Sequence, residues 1–93
     1  MIKSFKDKST ENLFFREFSK RIPENLSRRA QKKLYVLHYA DQLHDLEVPP
    51  SNRLESLQGD REGQYSIRIN LQWRICFNWN QGNAYNVEIV DYH

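Results

Sequence analysis

Two periods divide the chain. Between Glu24 and Glu47 apolar residues return every three or four positions, at Leu26, Ala30, Leu34, Leu37, Ala40 and Leu43. That spacing lays an apolar stripe along one face of a helix. It starts at Glu24 or Asn25, behind Pro23, and is expected to end near "EVPPSN", because Pro49 and Pro50 cannot continue it. Ahead of it, "STENLFFREFSK" predicts a shorter helix with Ser9 or Thr10 as N-cap and Leu13, Phe14 and Phe18 as its apolar residues. The opening "IKSF" is short and alternating, as an edge strand would be.

From Arg53 onward the period drops to two. "RLESL" predicts a brief strand, "GDREG" (Gly59 to Gly63) a turn, "QYSIRI" and "WRICFNW" two strands linked through Asn70, Leu71 and Gln72, "NQGN" a second turn, and "AYNVEIV" a last strand. Consecutive strands with short links imply an antiparallel meander. Such a sheet hides one face under helices, so the expected architecture is α+β: two layers, an antiparallel sheet of about four to five strands against two N-terminal helices, order β-α-α-β-β-β-β.

Composition narrows this to one domain spanning residues 1–93. A chain of 93 residues has room for a single two-layer core. With 39% hydrophobic and 28% charged residues, and two Trp, five Phe and five Tyr for the core, it is not a disordered chain. No apolar run approaches the ~18 residues that span a bilayer, and "MIKSFKDKST" lacks the apolar middle of a signal peptide, so a cytoplasmic protein without a membrane partner is expected. Cys76 is the only cysteine, set in an apolar strand, and reads as a buried thiol.

Charge is unevenly spread. Residues 1–33 hold ten Lys and Arg against four Asp and Glu, whereas residues 34–66 hold two against six. The polar face of the long helix carries Arg28, Arg29, Lys32 and Lys33, a basic zone able to meet phosphate backbone or an acidic protein surface, and equally an ordinary solvated face.

Alternation sorts the strand residues by face. Ile67, Ile69, Trp73, Ile75, Phe77 and Trp79 share the apolar side, while Ser66, Arg68, Arg74 and Cys76 point away from the helices. Arg68 and Arg74 on neighbouring strands form a candidate phosphate clamp, because guanidinium is a planar fork of donors that stays charged. The plainer reading pairs them with Glu62, Glu88 or Asp91.

The sequence closes on "EIVDYH". Asp91 and His93, two apart in an extended chain, lie on one side about 7 Å from each other. A histidine with an ordinary pKa of about 6.5 beside a carboxylate is the equipment of a general acid. Tyr92 adds a hydroxyl and an aromatic face that could stack on a nucleobase or bind phosphate. Strict alternation puts Asp91 and His93 with Val87 and Ile89, and Tyr92 with Arg74, so convergence requires the strand to run past the core edge or twist.

Other chemistry lacks its residues. His38 and His44 are six apart, about 240° around a helix, which does not suit a shared metal. No Gly-rich loop precedes a helix to cradle a nucleotide cofactor, and no Ser-His-Asp motif is present. Neither metal nor cofactor is expected.

The combination of "MIKSF", "PPSNRLESL", "GDREG", "SIRIN", "WRICF" and "DYH", in that order over essentially the whole chain, resembles the HigB-type killer toxins of the RelE/ParE superfamily, from bacterial toxin–antitoxin modules. The resemblance implies a RelE-like fold and a ribosome-dependent endoribonuclease that cuts messenger RNA in the decoding site by attack of the substrate's own 2′-hydroxyl. It implies silencing by a HigA-like antitoxin with a helix-turn-helix domain, through which the complex binds operator DNA. Carried over by position, Asp91, Tyr92 and His93 match the family's functional tripeptide, and Arg74 matches the arginine of the neighbouring strand. Where some members have a histidine before the glycine turn, this chain has Glu55, a candidate replacement acid or base. Arg28, Arg29, Lys32 and Lys33 then become candidates for docking to ribosomal RNA, with Arg68 in a lesser role at the phosphate. Two other classes stay open: a non-enzymatic inhibitor of DNA gyrase, as in the ParE branch, and a small RNA-binding module stacking bases on Tyr and Trp.

Overall fold

The computed structural model describes residues 1–17 and 21–91; Phe18, Tyr92 and His93 among the residues named above lie outside the described residues. Helix α1 spans Lys8–Phe14. Its cap is Asp7, not Ser9 or Thr10: Asp7 Oδ1 accepts the N–H of Thr10 at 2.7 Å. A carboxylate there also meets the positive end of the helix. Thr10 is buried and otherwise engaged, its Oγ1 accepting the N–H of Ile89 at 3.0 Å.

Helix α2 spans Glu24–Tyr39 and buries Leu26, Ala30, Leu34 and Leu37, the expected stripe. It ends well before Glu47. Ala40 turns extended, and Asp45 Oδ2 accepts the N–H groups of Asp41 and Gln42 at 3.1 and 3.0 Å, closing a capping box that opens a 3-10 turn over Leu43–Glu47. Polar side chains that satisfy nearby main-chain donors compete with helix propagation, which is why the apolar period outruns the helix. A second 3-10 turn, Pro50–Asn52, follows. There the buried Asn52 donates its amide to the carbonyls of Leu46 and Val48 at 3.2 Å each and accepts from Lys33 Nζ.

Four strands follow among the described residues: β1 Glu55–Ser56, β2 Gln64–Arg68, β3 Trp73–Asn80 and β4 Asn83–Asp91. They form one antiparallel sheet in sequence order. Residues 81 and 82 join β3 to β4 with positive φ at both Gln81 and Gly82, the two-residue turn whose twist suits a hairpin. A Cβ on Gly82 would lie 3.3 Å from the carbonyl oxygen of Asp41, so glycine serves both conformation and fit there. The "IKSF" segment runs parallel to β4 at the far edge, as two isolated bridges, Ile2 to Ala84 and Phe5 to Val87. No continuous strand forms, because β4 bulges between them, with Asn86 at φ 53° donating its N–H to Ser4 Oγ at 2.9 Å.

The sheet's inner face, Ile67, Ile69, Trp73, Ile75, Phe77, Val87 and Ile89, packs with the α2 stripe into one core. Each such side chain contributes about 1.5–3 kcal/mol when fully buried. His38 closes the core's margin: its Nδ1 accepts the N–H of Ile2 at 3.1 Å, and burial, followed by the N-terminal ammonium, lowers its pKa. Among the described residues, no helix is long and apolar enough to cross a membrane.

Candidate active site

The face of the sheet away from the helices carries the polar chemistry. Register fixes it: Arg68 stands opposite Arg74, Ser66 opposite Cys76, Glu55 opposite Ser66, Cys76 opposite Glu88 and Arg74 opposite Val90. Directly opposed residues of antiparallel strands share a face. The two arginines, expected on this face from alternation, are therefore brought together on it.

Arg74 is 8% exposed. Its Nε donates to Ser66 Oγ at 2.8 Å and its Nη2 to the carbonyl of Arg53 at 2.7 Å. Arg53 is left-handed, φ 45°, at the end of the Pro50–Asn52 turn, and this reversal aims its carbonyl inward. Glu55 Oε2 lies 3.9 Å from Arg74 Nη2, and its side chain is half-exposed. Arg68 donates its Nε to the carbonyl of Asn70 at 3.1 Å.

The acidic groups proposed as plain partners of these arginines behave differently. Glu88 is buried between Arg61 Nη1 at 3.0 Å and Lys6 Nζ at 3.2 Å, and Glu62 is exposed in the loop before β2. Beneath this group lies Cys76, whose thiol is pushed up by burial, with the charges of Arg61, Glu88, Arg74 and Lys6 acting on it as well. It is an inert thiol under a charged lid.

Asp91 ends β4 opposite Trp73. Its parity is that of the core face, as alternation required, yet it is exposed because the core stops at Trp73. Gln72 Nε2 donates to both carboxylate oxygens, at 3.0 and 3.1 Å. The tip that presents Gln72 is fixed by Asn70 Oδ1, which accepts the N–H groups of Gln72 and Trp73 at 2.8 Å each. Tyr92 and His93 lie outside the described residues. Sequence reasoning missed Ser66, Gln72 and the Arg53 carbonyl; the shared parity of Ser66 and Arg74 was the only signal for any of them.

The basic helix residues divide. Arg28, Arg29 and Lys32 are exposed on α2, on the other layer from Arg74. Lys33 is half-buried against Asn52, and burial, then the nearby Arg29, lowers its pKa. A groove of about 490 Å³ between the helices, lined by Leu13, Arg16, Glu24, Ser27 and Arg28, lies apart from the sheet's polar face.

Against known families, residues 3–93 match the model of the HigB-like toxins, described as RelE-like toxins of type II toxin–antitoxin systems. The chain belongs to the HigB-like toxin family. Toxin HigB-1 of Vibrio cholerae is 42% identical over 89 residues, 92% of each chain. The protein named Endoribonuclease HigB in Proteus vulgaris is 36% identical over 93 residues, covering both chains fully. Among solved structures, the YoeB-YefM complex from Staphylococcus aureus contains a chain matching all of this HigB-like protein and 95% of its own length, with a TM-score of 0.62 at 16% identity. That likeness establishes the RelE-like fold, helices on one face of an antiparallel sheet, as the architecture.

Proposed function

We propose that this HigB-like toxin is a ribosome-dependent endoribonuclease that cleaves messenger RNA in the ribosomal A site and so stops translation. The observation that carries the reading is the placement of Arg68 directly opposite Arg74 on the outer face. Like charges in that position repel. The pair is intelligible as a binding place for an anion, and RNA phosphate is the anion that the activity named for the Proteus vulgaris relative provides.

In this mechanism the 2′-hydroxyl of the RNA attacks its own phosphorus, forming a 2′-O–P bond as the bond to the 5′-oxygen breaks. A base takes the 2′ proton and an acid protonates the leaving 5′-oxygen. Arg74, with Arg68 in support, meets the charge that develops on the phosphoryl oxygens, a contact worth about 2.7–4 kcal/mol. His93 is the acid and Asp91 its base or orienting partner, Tyr92 holds the base or phosphate, and Glu55 shares the acid–base work from the other side of Arg74. Arg28, Arg29 and Lys32 dock to ribosomal RNA, with Lys33 adding its field from behind Asn52. A HigA-like helix-turn-helix antitoxin silences the toxin, and the complex binds operator DNA through the antitoxin.

The test is to mix the purified protein with translating ribosomes and map the ends of the messenger. Cuts within the A-site codon that leave a 5′-hydroxyl are expected. Inhibition of gyrase with the RNA left whole, RNA binding without scission, or full activity in a variant lacking Tyr92 and His93 would sink the assignment.

A further inference from the structure

Arginine is long and has four rotatable side-chain bonds, so a guanidinium that is to meet a transition state has to be held by something other than its substrate. Around Arg74 the holding groups are the Ser66 hydroxyl and the Arg53 carbonyl. Ser66 sits fully buried in the middle of β2, opposite Cys76, at a strand position where an apolar residue would be unremarkable. Its hydroxyl oxygen accepts Arg74 Nε–H at 2.8 Å, while the carbonyl of the left-handed Arg53 accepts from Nη2 at 2.7 Å. Two donors of one rigid planar group are thereby tied to two points of the main fold. Once Nε and Nη2 are fixed, the plane of the guanidinium is fixed, and with it the direction of every other N–H it carries.

We propose that Ser66 is a positioning residue for cleavage: its hydroxyl, acting with the Arg53 carbonyl, holds Arg74 in the pose that receives the phosphoryl group. This rests on the reading of Arg74 given above. Ser66 touches no substrate; it acts only through the arginine. Its removal therefore lowers turnover rather than binding, since ribosome docking is made elsewhere and the charge of Arg74 remains. It also orphans a buried N–H, which lets the guanidinium swing to other acceptors.

The experiment is a double-mutant cycle on translating ribosomes with S66A, R74A and the pair, alongside S66T, which keeps the hydroxyl. The expected result is a fall in kcat of roughly 10- to 100-fold for S66A with KM changed by less than about 3-fold, recovery of most of that rate in S66T, and no further loss when S66A is added to R74A. Wild-type turnover in S66A, or an equal loss in the R74A background, overturns the role of Ser66 and leaves the nuclease reading standing. Wild-type turnover in R74A overturns the roles of Arg74 and Ser66 together. Should S66A lose its melting transition, the Arg74 Nε–H resonance of the unaltered protein reads the same claim. Slow exchange with solvent supports it, and exchange at the rate of an exposed arginine refutes it.

Discussion

The carboxylate of Glu88 is buried on the outer sheet face 3.0 Å from Arg61, with Lys6 at 3.2 Å on the same oxygen. Arg61 comes from the 3-10 turn Gly59–Arg61 and Lys6 from the segment before α1, so one acidic side chain ties two loops to the centre of the sheet. Both cations are partly solvated, which places the bridge between the weak surface case and the strong buried one. Glu88→Ala should cost about 1–2 kcal/mol in denaturant unfolding. Replacement by Leu together with apolar residues at 6 and 61 should cost less than the single change.

Arg68 opposes Arg74 at a price in stability that an anion would offset. Arg68→Gln should leave the melting temperature unchanged or raise it by about 1–5 °C, since opposed like charges cost roughly 0.2–1 kcal/mol in a domain of this size. Cleavage should fall by about tenfold or more, the loss of a contact to a charged group. A variant that is less stable yet fully active would contradict the clamp.

For Glu55 the informative change is to Gln, which keeps shape and removes the charge beside Arg74. Single-turnover cleavage should slow by about 10²-fold, the lower end of general acid–base contributions. Unaltered chemistry combined with tighter RNA binding would reduce Glu55 to a counter-ion.

Arg28→Glu with Arg29→Glu tests the helical layer. Affinity for ribosomes should drop and its dependence on salt should flatten, as phosphate contacts are lost. The rate on saturating ribosomes should stay as it was, because these residues lie on the opposite layer from Arg74.

His38 predicts a pH dependence of stability. Its pKa is lowered in the fold by burial and then by the N-terminal ammonium. The unfolded chain therefore binds this proton more readily. Stability from the neutral ring is complete above about pH 6.5 and is lost as pH falls through the lowered value. Thermal melts from pH 8 downward should show the decline, and His38→Phe, which has no acceptor for Ile2 N–H, should be less stable at pH 8 but flatter toward acid.

The meander, the α2 stripe and the outward parity of Arg68 and Arg74 were legible because each follows from a period, two or 3.6, that burial enforces. What failed to show were features made by single polar atoms. Asp7 outcompeted Thr10 as a cap because Thr10 was needed for the N–H of Ile89, a partner 79 positions away. The early end of α2 rests on Asp45 reaching back to Asp41 and Gln42, a local contest the apolar period does not register. Pairing of Ile2 and Phe5 with β4 depends on a bulge at Asn86 that alternation alone does not predict. Glu55 and Arg74 were each visible, yet the Arg53 carbonyl that accepts from Arg74 is main chain and leaves no mark in residue type.

The parallel bridges from Ile2 and Phe5 to β4 and the Thr10 bond to Ile89 make the first ten residues wait for the last strand. During synthesis these residues leave the ribosome with their partners still unmade. Closure of this edge therefore follows β4, and pairings of such long sequence separation slow folding relative to a helical bundle of equal length.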